Sequence, residues 1–248
     1  MLTTILISSL GGGQGKTTAT LFLSRLLVRK KNPILVIDAD PQHNLTTYLG
    51  KKPEKFSLLD FVKKSAEPDE CIQPVANGLY LMPADDNLDS LQDYLANSGM
   101  ASLLIKQRLK SINEYFDICL IDAPPQRSQI AIALIGAADY VLVPAEASAK
   151  GYGSLVRTLD LMKSMQELGA TEAKLLGVLP FRDRWFGISQ ANESRTAISE
   201  FLRETPLVFP SVRESERYKQ AISRYETLPN YPDLEYPFHV IIDRIINL

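Results

Sequence analysis

Short runs rich in Val, Ile and Leu alternate along the chain with longer segments in which apolar residues recur at helical spacing. Short apolar runs are typical of strands buried on both faces, and their alternation with helices is typical of βαβ units. The sequence therefore predicts the α/β class, with a mostly parallel twisted sheet and helices on both faces. The predicted strands are 3–9, 33–38, 79–82, 118–122, 140–143 and 174–179, and the predicted helices are 17–29, 103–115, 129–135, 153–168 and 190–203.

The length of 248 residues fits one α/β domain, so we expect residues 1–248 to form a single domain. Two prolines within 231–237 predict a break in structure before a closing helix at 238–247. No apolar run reaches the roughly eighteen residues of a membrane span. Cys71 and Cys119 lack Cys-x-x-Cys spacing, and the formal net charge is −2. We therefore expect a cytoplasmic protein in which any nucleic-acid binding comes from a local patch.

A glycine-rich segment at residues 10–18 joins the first predicted strand to the first predicted helix. Strand, glycine loop and helix in this order form a P-loop, in which backbone N–H groups can turn toward a phosphate because glycine has no Cβ. Lys16 would contact the β and γ phosphates of ATP, and Thr17 would offer its hydroxyl to Mg²⁺. The strict Walker pattern has glycine where this chain has Leu10. The predicted nucleotide-binding residues are Gly11, Gly12, Gly13, Gln14, Gly15, Lys16, Thr17 and Thr18.

Acidic residues end two of the predicted strands. Asp122 ends 118–122, as expected for the Walker B acid that holds Mg²⁺, and Asp38 is followed by Asp40 at the end of 33–38. Each of these residues alone could be a helix N-cap or a turn residue. Because the carboxyl ends of parallel strands share one edge of the sheet, the three acids and the glycine loop together predict a site for Mg²⁺ and a nucleotide.

Three segments, 12–18, 38–44 and 117–125, resemble the ParA/MinD family of deviant Walker A ATPases, and 212–216 is a weaker match. The resemblance runs through residue 225. It implies the P-loop NTPase fold, slow ATP hydrolysis stimulated by a partner, and ATP held between two subunits. It also implies that Lys16, Asp38 and Asp40 are catalytic, that Asp40 helps to orient the attacking water, and that Thr17, Asp38 and Asp122 bind the metal.

The family's signature lysine, which reaches the phosphates of the partner subunit, falls at Gly11 and is missing here. Lys150 is our candidate to replace it, because it follows the strand 140–143 at the carboxyl edge of the sheet. The alternative is a solvated loop lysine. ParA-like proteins without the signature lysine occur among those that distribute carboxysomes over the nucleoid, usually called McdA, and the chain resembles that subgroup.

Family members that position plasmids or organelles bind DNA without sequence preference through late Lys and Arg residues. Here Arg213, Arg217 and Arg224 would fall near one face of a helix, although two intervening glutamates also allow an ordinary solvated face. Arg182, with Trp185 close by, could contact DNA, the adenine or the core. The predicted DNA-binding residues are Arg184, Arg213, Arg217, Lys219 and Arg224.

The resemblance thus implies a dimerisation switch that positions carboxysomes, plasmids or another cargo. ATP and Mg²⁺ would draw two subunits into a homodimer on nucleoid DNA, and a McdB-like or ParB-like adaptor protein on the cargo would stimulate hydrolysis. Two alternatives stay open: a P-loop ligase of the dethiobiotin-synthetase type, and a MinD-like membrane-surface ATPase. A MinD-like protein should end in a basic amphipathic helix. Residues 238–248 carry a single arginine, so we expect no membrane binding.

Overall fold

An eight-stranded sheet lies at the centre of the computed structural model, which describes residues 2–31, 33–183 and 207–248. The strands stand in the order β3-β4-β2-β5-β1-β6-β7-β8, and within this sheet every pairing is parallel except that of β3 with β4. The strands are β1 Thr3–Ile7, β2 Ile34–Asp38, β3 Gln73–Ala76, β4 Leu79–Met82, β5 Ile118–Asp122, β6 Tyr140–Glu146, β7 Lys174–Asp183 and β8 Val212–Arg213.

Helices cover both faces of the sheet, because the central strands are apolar on both sides. Ile5 of β1 packs into one core with Phe22 and Phe238, whose rings stack at 5.5 Å, and Leu6 packs into the core on the opposite face. The α/β fold predicted from the sequence is confirmed. The helices are α1 Lys16–Leu27, α2 Asn44–Tyr48, α3 Leu58–Lys63, α4 Asp89–Ser98, α5 Ala101–Leu109, α6 Gln129–Ala137, α7 Ala149–Glu167, α8 Glu216–Ser223 and α9 Pro232–Ile246.

Several predicted elements end at other residues than expected. β7 continues to Asp183 and β6 to Glu146, whereas α5 ends at Leu109 and gives way to a 3₁₀ turn. α7 begins four residues before the predicted start of 153, because the Ser148 side chain accepts a hydrogen bond of 3.1 Å from the Gly151 N–H and caps the helix. The predicted helix 190–203 lies outside the described residues.

The predicted break at 231–237 is wrong, because α9 already begins at Pro232. Proline suits the first position of a helix, where its missing N–H would have no partner in any case. Pro237 lies inside the helix and is buried, so the packing of its ring offsets the hydrogen bond that it cannot donate. Among the described residues, no helix combines the length and the apolar character needed to span a bilayer.

Candidate nucleotide site

The glycine-rich loop lies at the carboxyl edge of the sheet, between the end of β1 and the first residue of α1. Gly13 and Gly15 have φ angles of 80° and 92°, in the left-handed region that favours glycine. A Cβ on Gly15 would also come within 2.5 Å of the Phe181 ring. Both the turn of the loop and its packing against β7 therefore require glycine at position 15.

A cavity of about 290 Å³ opens beside this loop. Its walls include residues 12–18, Asp40 and Gln42 from the segment after β2, Tyr48 of α2, and Arg182 near the end of β7. The cavity thus collects most of the predicted phosphate loop, the predicted catalytic acid Asp40 and Arg182, one of a cluster of cationic and aromatic residues formed in the sequence by Arg182, Arg184 and Trp185. Arg184 and Trp185 of that cluster lie outside the described residues.

The Lys16 side chain is buried and donates a hydrogen bond of 3.1 Å to the Gly11 carbonyl oxygen. Burial lowers the pKa of Lys16, while the negative charges of Asp122 and Asp40 act in the opposite direction. A phosphate group entering the cavity would bring this ammonium further negative charge. The position therefore suits an anion-binding lysine.

Asp38 is fully buried, and its carboxylate points toward α2. One oxygen accepts hydrogen bonds of 2.8 Å from both the N–H and the hydroxyl of Thr46, and the other accepts one of 3.2 Å from the Asp40 N–H. Burial raises the pKa of Asp38 to about 6, although the bonds from Thr46 and Asp40 offset part of this effect. Asp38 therefore couples the nucleotide edge to α2.

Asp122 is also fully buried, but its two carboxylate oxygens have no hydrogen-bond partner among the described residues. Burial raises the pKa of Asp122 well above its usual range, the charge of Asp38 adds to this effect, and Thr17 and Lys16 oppose it. The Thr17 hydroxyl is close enough to lower this pKa, yet it does not meet the geometry of a hydrogen bond to the carboxylate. Two unpartnered buried oxygens are costly unless a cation or water completes them.

These oxygens fit a divalent cation. Mg²⁺ takes oxygen ligands and is usually bound by one or two carboxylates together with substrate phosphates and water. Asp122 and the Thr17 hydroxyl offer such ligands beside the phosphate loop. In the described part of the chain, no three His, Cys, Asp or Glu side chains are grouped to hold a metal by themselves. A cation here would thus depend on phosphate and water oxygens to complete its shell.

Gln14 secures the loop from inside. Its side chain is fully buried, its Oε1 accepts a hydrogen bond of 2.8 Å from the Glu146 N–H, and its Nε2 donates one of 3.3 Å to the Gly12 carbonyl oxygen. Gln14 also lines the cavity, as do the other predicted loop residues from Gly12 to Thr18. The structure thus gives Gln14 a clear role in ordering the loop.

One face of α7 packs against the start of the loop. The Leu10 N–H donates a hydrogen bond of 2.9 Å to the Thr158 hydroxyl, and the Ser9 and Ser154 hydroxyl oxygens lie 3.0 Å apart. A Cβ on Gly11 would approach the Ser154 Oγ to 2.6 Å, well inside normal contact. The structure therefore leaves little room for a lysine at position 11 unless Ser154 moves.

Lys150 lies in the first turn of α7 and is exposed, so the loop expected around it is instead helical. It stands one turn before Ser154, and residues four apart share one face of a helix. The face of α7 that contacts the loop through Ser154 therefore also carries Lys150, one helical turn before Ser154.

The late basic residues lie on and around α8. Arg213 is in β8, Arg217 and Lys219 are exposed on α8, and Arg224 directly follows it. Lys219 pairs with Glu216 at 2.8 Å, whereas Arg217 lies over the Tyr231 ring at 4.9 Å. The stretch is thus helical, as the predicted grouping of its arginines requires.

Several residues that shape the site were not predicted from the sequence. Thr46 holds Asp38, Phe181 packs on Gly15, and Arg157 donates a hydrogen bond of 3.0 Å from its Nη2 to the Leu10 carbonyl oxygen. A threonine eight residues after an acidic strand end carries no recognisable motif. Arg157 follows Lys150 by seven residues, so its helical spacing was a signal that could have associated the two.

Known relatives decide the family. The model of a family described as "AAA domain" matches residues 2–171. Maintenance of carboxysome distribution protein A, or McdA, of Gloeothece citriformis is 50% identical over 242 residues, which cover 95% of this chain and 93% of the relative. McdA of Synechococcus elongatus is 46% identical over 249 residues, with 98% of both chains covered. The chain belongs to the McdA family of ParA-type ATPases.

A solved structure of a McdA D38A–ATP complex from Cyanothece has a TM-score of 0.94 and 46% identity to the chain, and the match covers 98% of this chain and 96% of that one. The chromosome-partitioning ATPase Soj of Thermus thermophilus is 32% identical over 180 residues, which cover 71% of this chain and 67% of Soj. The predicted ParA-type family and the McdA subgroup are therefore confirmed, and with them the P-loop NTPase fold. Position 11, to which the family resemblance assigns the signature lysine, is glycine in this chain.

Proposed function

We propose that the chain is an ATP-dependent dimerisation switch that positions carboxysomes. The observation that carries the proposal is the convergence of the glycine loop, Lys16 and the unpartnered Asp122 carboxylate at one edge of the sheet. The membership of the McdA family adds the cargo, because two relatives that match nearly the whole chain are named for carboxysome distribution. Plasmids are the alternative cargo that the ParA-type fold allows.

ATP binds in the cavity beside the loop. The loop glycines and the N-terminus of α1 face its phosphates, and Lys16 balances their charge. Thr17 and Asp122 would hold Mg²⁺, with Asp38 on the neighbouring strand, and the cation would neutralise charge on the phosphate oxygens. Asp40 lines the cavity and orients the attacking water, since its carboxylate is fixed by a 3.0 Å hydrogen bond from the Gln42 N–H.

A cation that reaches the partner subunit's nucleotide would stabilise the dimer, and we assign this role to Lys150; the alternative is that the cross-dimer contact is absent in this chain. Two observations support this assignment: Lys150 is exposed one helical turn before Ser154 on α7, and a side chain at position 11 would meet Ser154 unless Ser154 moved. An ammonium on a helix anchored to the phosphate loop is held near the nucleotide edge, whereas a loop lysine would be free to move away.

The ATP dimer binds nucleoid DNA in the cytoplasm through Arg213, Arg217, Lys219 and Arg224, and an adaptor on the cargo stimulates slow hydrolysis. Dimerisation doubles this surface, so DNA binding should depend on ATP. The membrane alternative has little support from α9, because Phe238, Ile241 and Ile242 of this helix are buried in the core and are not available to a bilayer.

Light scattering with ATP, with ADP and without nucleotide tests the switch directly. We expect a dimer with ATP and Mg²⁺ and a monomer in the other two states, because the γ-phosphate makes contacts across the dimer interface that ADP cannot make. A DNA shift assay on each state follows. A protein that stays monomeric with ATP until a small carboxylic-acid substrate is added would favour the ligase alternative instead.

A further inference from the structure

A second cavity, of about 730 Å³, lies away from the nucleotide site. Four arginines line this cavity, and Glu226 is the acidic residue among the described residues of its lining. Leu79, the first residue of β4, is part of its wall, so the cavity lies at the amino edge of the sheet, opposite the glycine loop. We call it the arginine cavity, and its arginines are Arg25, Arg29, Arg217 and Arg224.

The arginines come from two distant parts of the chain. Arg25 is in the last turn of α1 and Arg29 follows that helix, whereas Arg217 and Arg224 belong to the α8 segment. The Arg29 Nη2 donates a hydrogen bond of 2.9 Å to the Thr227 hydroxyl, and Arg25 donates one of 2.8 Å to the Glu226 carbonyl oxygen. These bonds hold the segment after α8 against the end of α1.

Among the described residues, the lining of the arginine cavity carries four arginines against the single carboxylate of Glu226. Within the described part of the chain, none of its four arginines forms an ion pair. Arg29, Arg217 and Arg224 are exposed, and a guanidinium has five N–H donors. Arg29 uses one of its donors on the Thr227 hydroxyl, so the others can still meet a ligand.

We propose that the arginine cavity holds backbone phosphates of duplex DNA and that Arg29 is a DNA contact supplied by α1. The inference rests on the proposed DNA-binding function and extends its surface beyond α8. Planar guanidinium groups match the geometry of phosphate oxygens, and several exposed arginines in one concave surface suit a row of phosphates better than one isolated anion. The surface lies at the sheet edge opposite ATP, so the two ligands do not compete for it.

The test compares three variants in a fluorescence anisotropy titration with ATP and two duplexes of unrelated sequence. Arg29→Gln removes the charge from the arginine cavity, and Arg29→Lys keeps it. Lys31→Gln is the matched control, because Lys31 is exposed two residues further on and is not part of the cavity lining. Light scattering with ATP checks that each variant still forms the dimer.

For Arg29→Gln at 0.1 M salt, we expect the affinity to fall by about eightfold for each phosphate that the side chain no longer neutralises. The slope of log K against log salt should fall by about 0.9 for each such phosphate. Both duplexes should be affected alike, because phosphate contacts carry no sequence information. Arg29→Lys should bind nearly as the parent does, and Lys31→Gln should bind with the parental affinity.

Equal affinities for the parent and Arg29→Gln, or an equal loss of affinity with Lys31→Gln, would overturn the assignment of Arg29. If inorganic phosphate at the same ionic strength displaced DNA from the parent but not from Arg29→Gln, the cavity would be a site for free phosphate and the DNA assignment would be wrong. A parent dimer that binds neither duplex would remove the proposed DNA-binding function itself, and this inference with it.

Discussion

Gly11 packs against Ser154 of α7, and this contact can be tested by adding a single methyl group at position 11. A Cβ at position 11 would lie 2.6 Å from the Ser154 Oγ, 3.1 Å from the Ser154 Cβ and 3.4 Å from the Gln14 Cγ. The φ angle of Gly11 is not among the positive values of the described residues, so Gly11→Ala would bring a steric cost and no backbone strain.

Overpacking of this kind costs about 1–3 kcal/mol, and we expect about 2 kcal/mol for Gly11→Ala. Ser154→Ala should by itself cost about 1 kcal/mol, because it removes the hydroxyl that lies 3.0 Å from the Ser9 Oγ. In the Ser154→Ala background the nearest atom to the new methyl is the Cβ at 3.1 Å, a tight contact that a small shift relieves. Gly11→Ala should then cost less than about 1 kcal/mol, which gives a coupling free energy of about 1 kcal/mol or more.

Urea unfolding of the parent, both single variants and the double variant, all without nucleotide, measures this cycle. Gly12→Ala is the control within the same loop, because a Cβ there meets nothing within 4 Å and its stability should stay near that of the parent. Equal free energies of unfolding for Gly11→Ala and Gly12→Ala, or additive effects in the double variant, would refute the packing that we derive for α7 against the loop.

Charge at the nucleotide edge gives two more tests. Lys150→Ala should weaken the ATP dimer by about 30-fold for each phosphate hydrogen bond that it removes, since a hydrogen bond to a charged phosphate contributes about 2 kcal/mol. Light scattering over a concentration series measures the dimer affinity, with Lys163→Ala on the same helix as the control. An unchanged dimer affinity would show that Lys150 does not contact the partner's nucleotide. Asp38→Asn should stabilise the nucleotide-free protein at pH 7 by about 2 kcal/mol. The ionised Asp38 carboxylate destabilises the folded state by about 3 kcal/mol, because its pKa is raised from 3.8 to about 6. The asparagine avoids this cost but loses about 1 kcal/mol, since its NH₂ group cannot accept the hydrogen bond from the Asp40 N–H. The Asp38 carboxyl group stays protonated up to about pH 6 in the folded state, whereas it loses its proton above pH 3.8 in the unfolded chain. The gain in the free energy of urea unfolding from Asp38→Asn should therefore be full above pH 6 and fade toward pH 4. A gain that does not depend on pH would contradict the assignment of this effect to the raised pKa of Asp38.

The parts of the fold that could be predicted from sequence are those with a strong local pattern. β4 and β5 coincide with the predicted 79–82 and 118–122, because short apolar runs between polar segments mark buried parallel strands. The glycine loop was recognisable because its residue types are dictated by backbone geometry, with Gly13 and Gly15 at positive φ. In such segments, neighbouring residues carry enough information to define the structure.

Other features depend on residues far apart in the chain and could not be predicted from local sequence. The hydrogen bond between Leu10 and Thr158 joins residues 148 positions apart, and that between Arg29 and Thr227 joins residues 198 positions apart. No local sequence pattern predicts a contact at such a separation. Short elements such as α2 and β8 contain five and two residues, too few for a hydrophobic period to repeat and be recognised. The predicted start of α9 is wrong because proline usually breaks a helix, whereas a buried proline can be kept by the packing of its ring.

Helix α1 connects the nucleotide cavity to the arginine cavity. It begins at Lys16 beside the glycine loop and ends at Leu27, two residues before Arg29 in the arginine cavity, and its twelve residues span about 18 Å at 1.5 Å each. Arg25 joins the same two regions through a hydrogen bond of 3.0 Å to the Tyr48 carbonyl oxygen, at the end of α2, and another to Glu226. Thr46 and Tyr48 both belong to α2, so this helix is hydrogen-bonded to Asp38 at one residue and to Arg25 at the other. The proposed ATP and DNA sites are therefore separate and are joined by α1 and α2, an arrangement that would let nucleotide binding bias DNA binding.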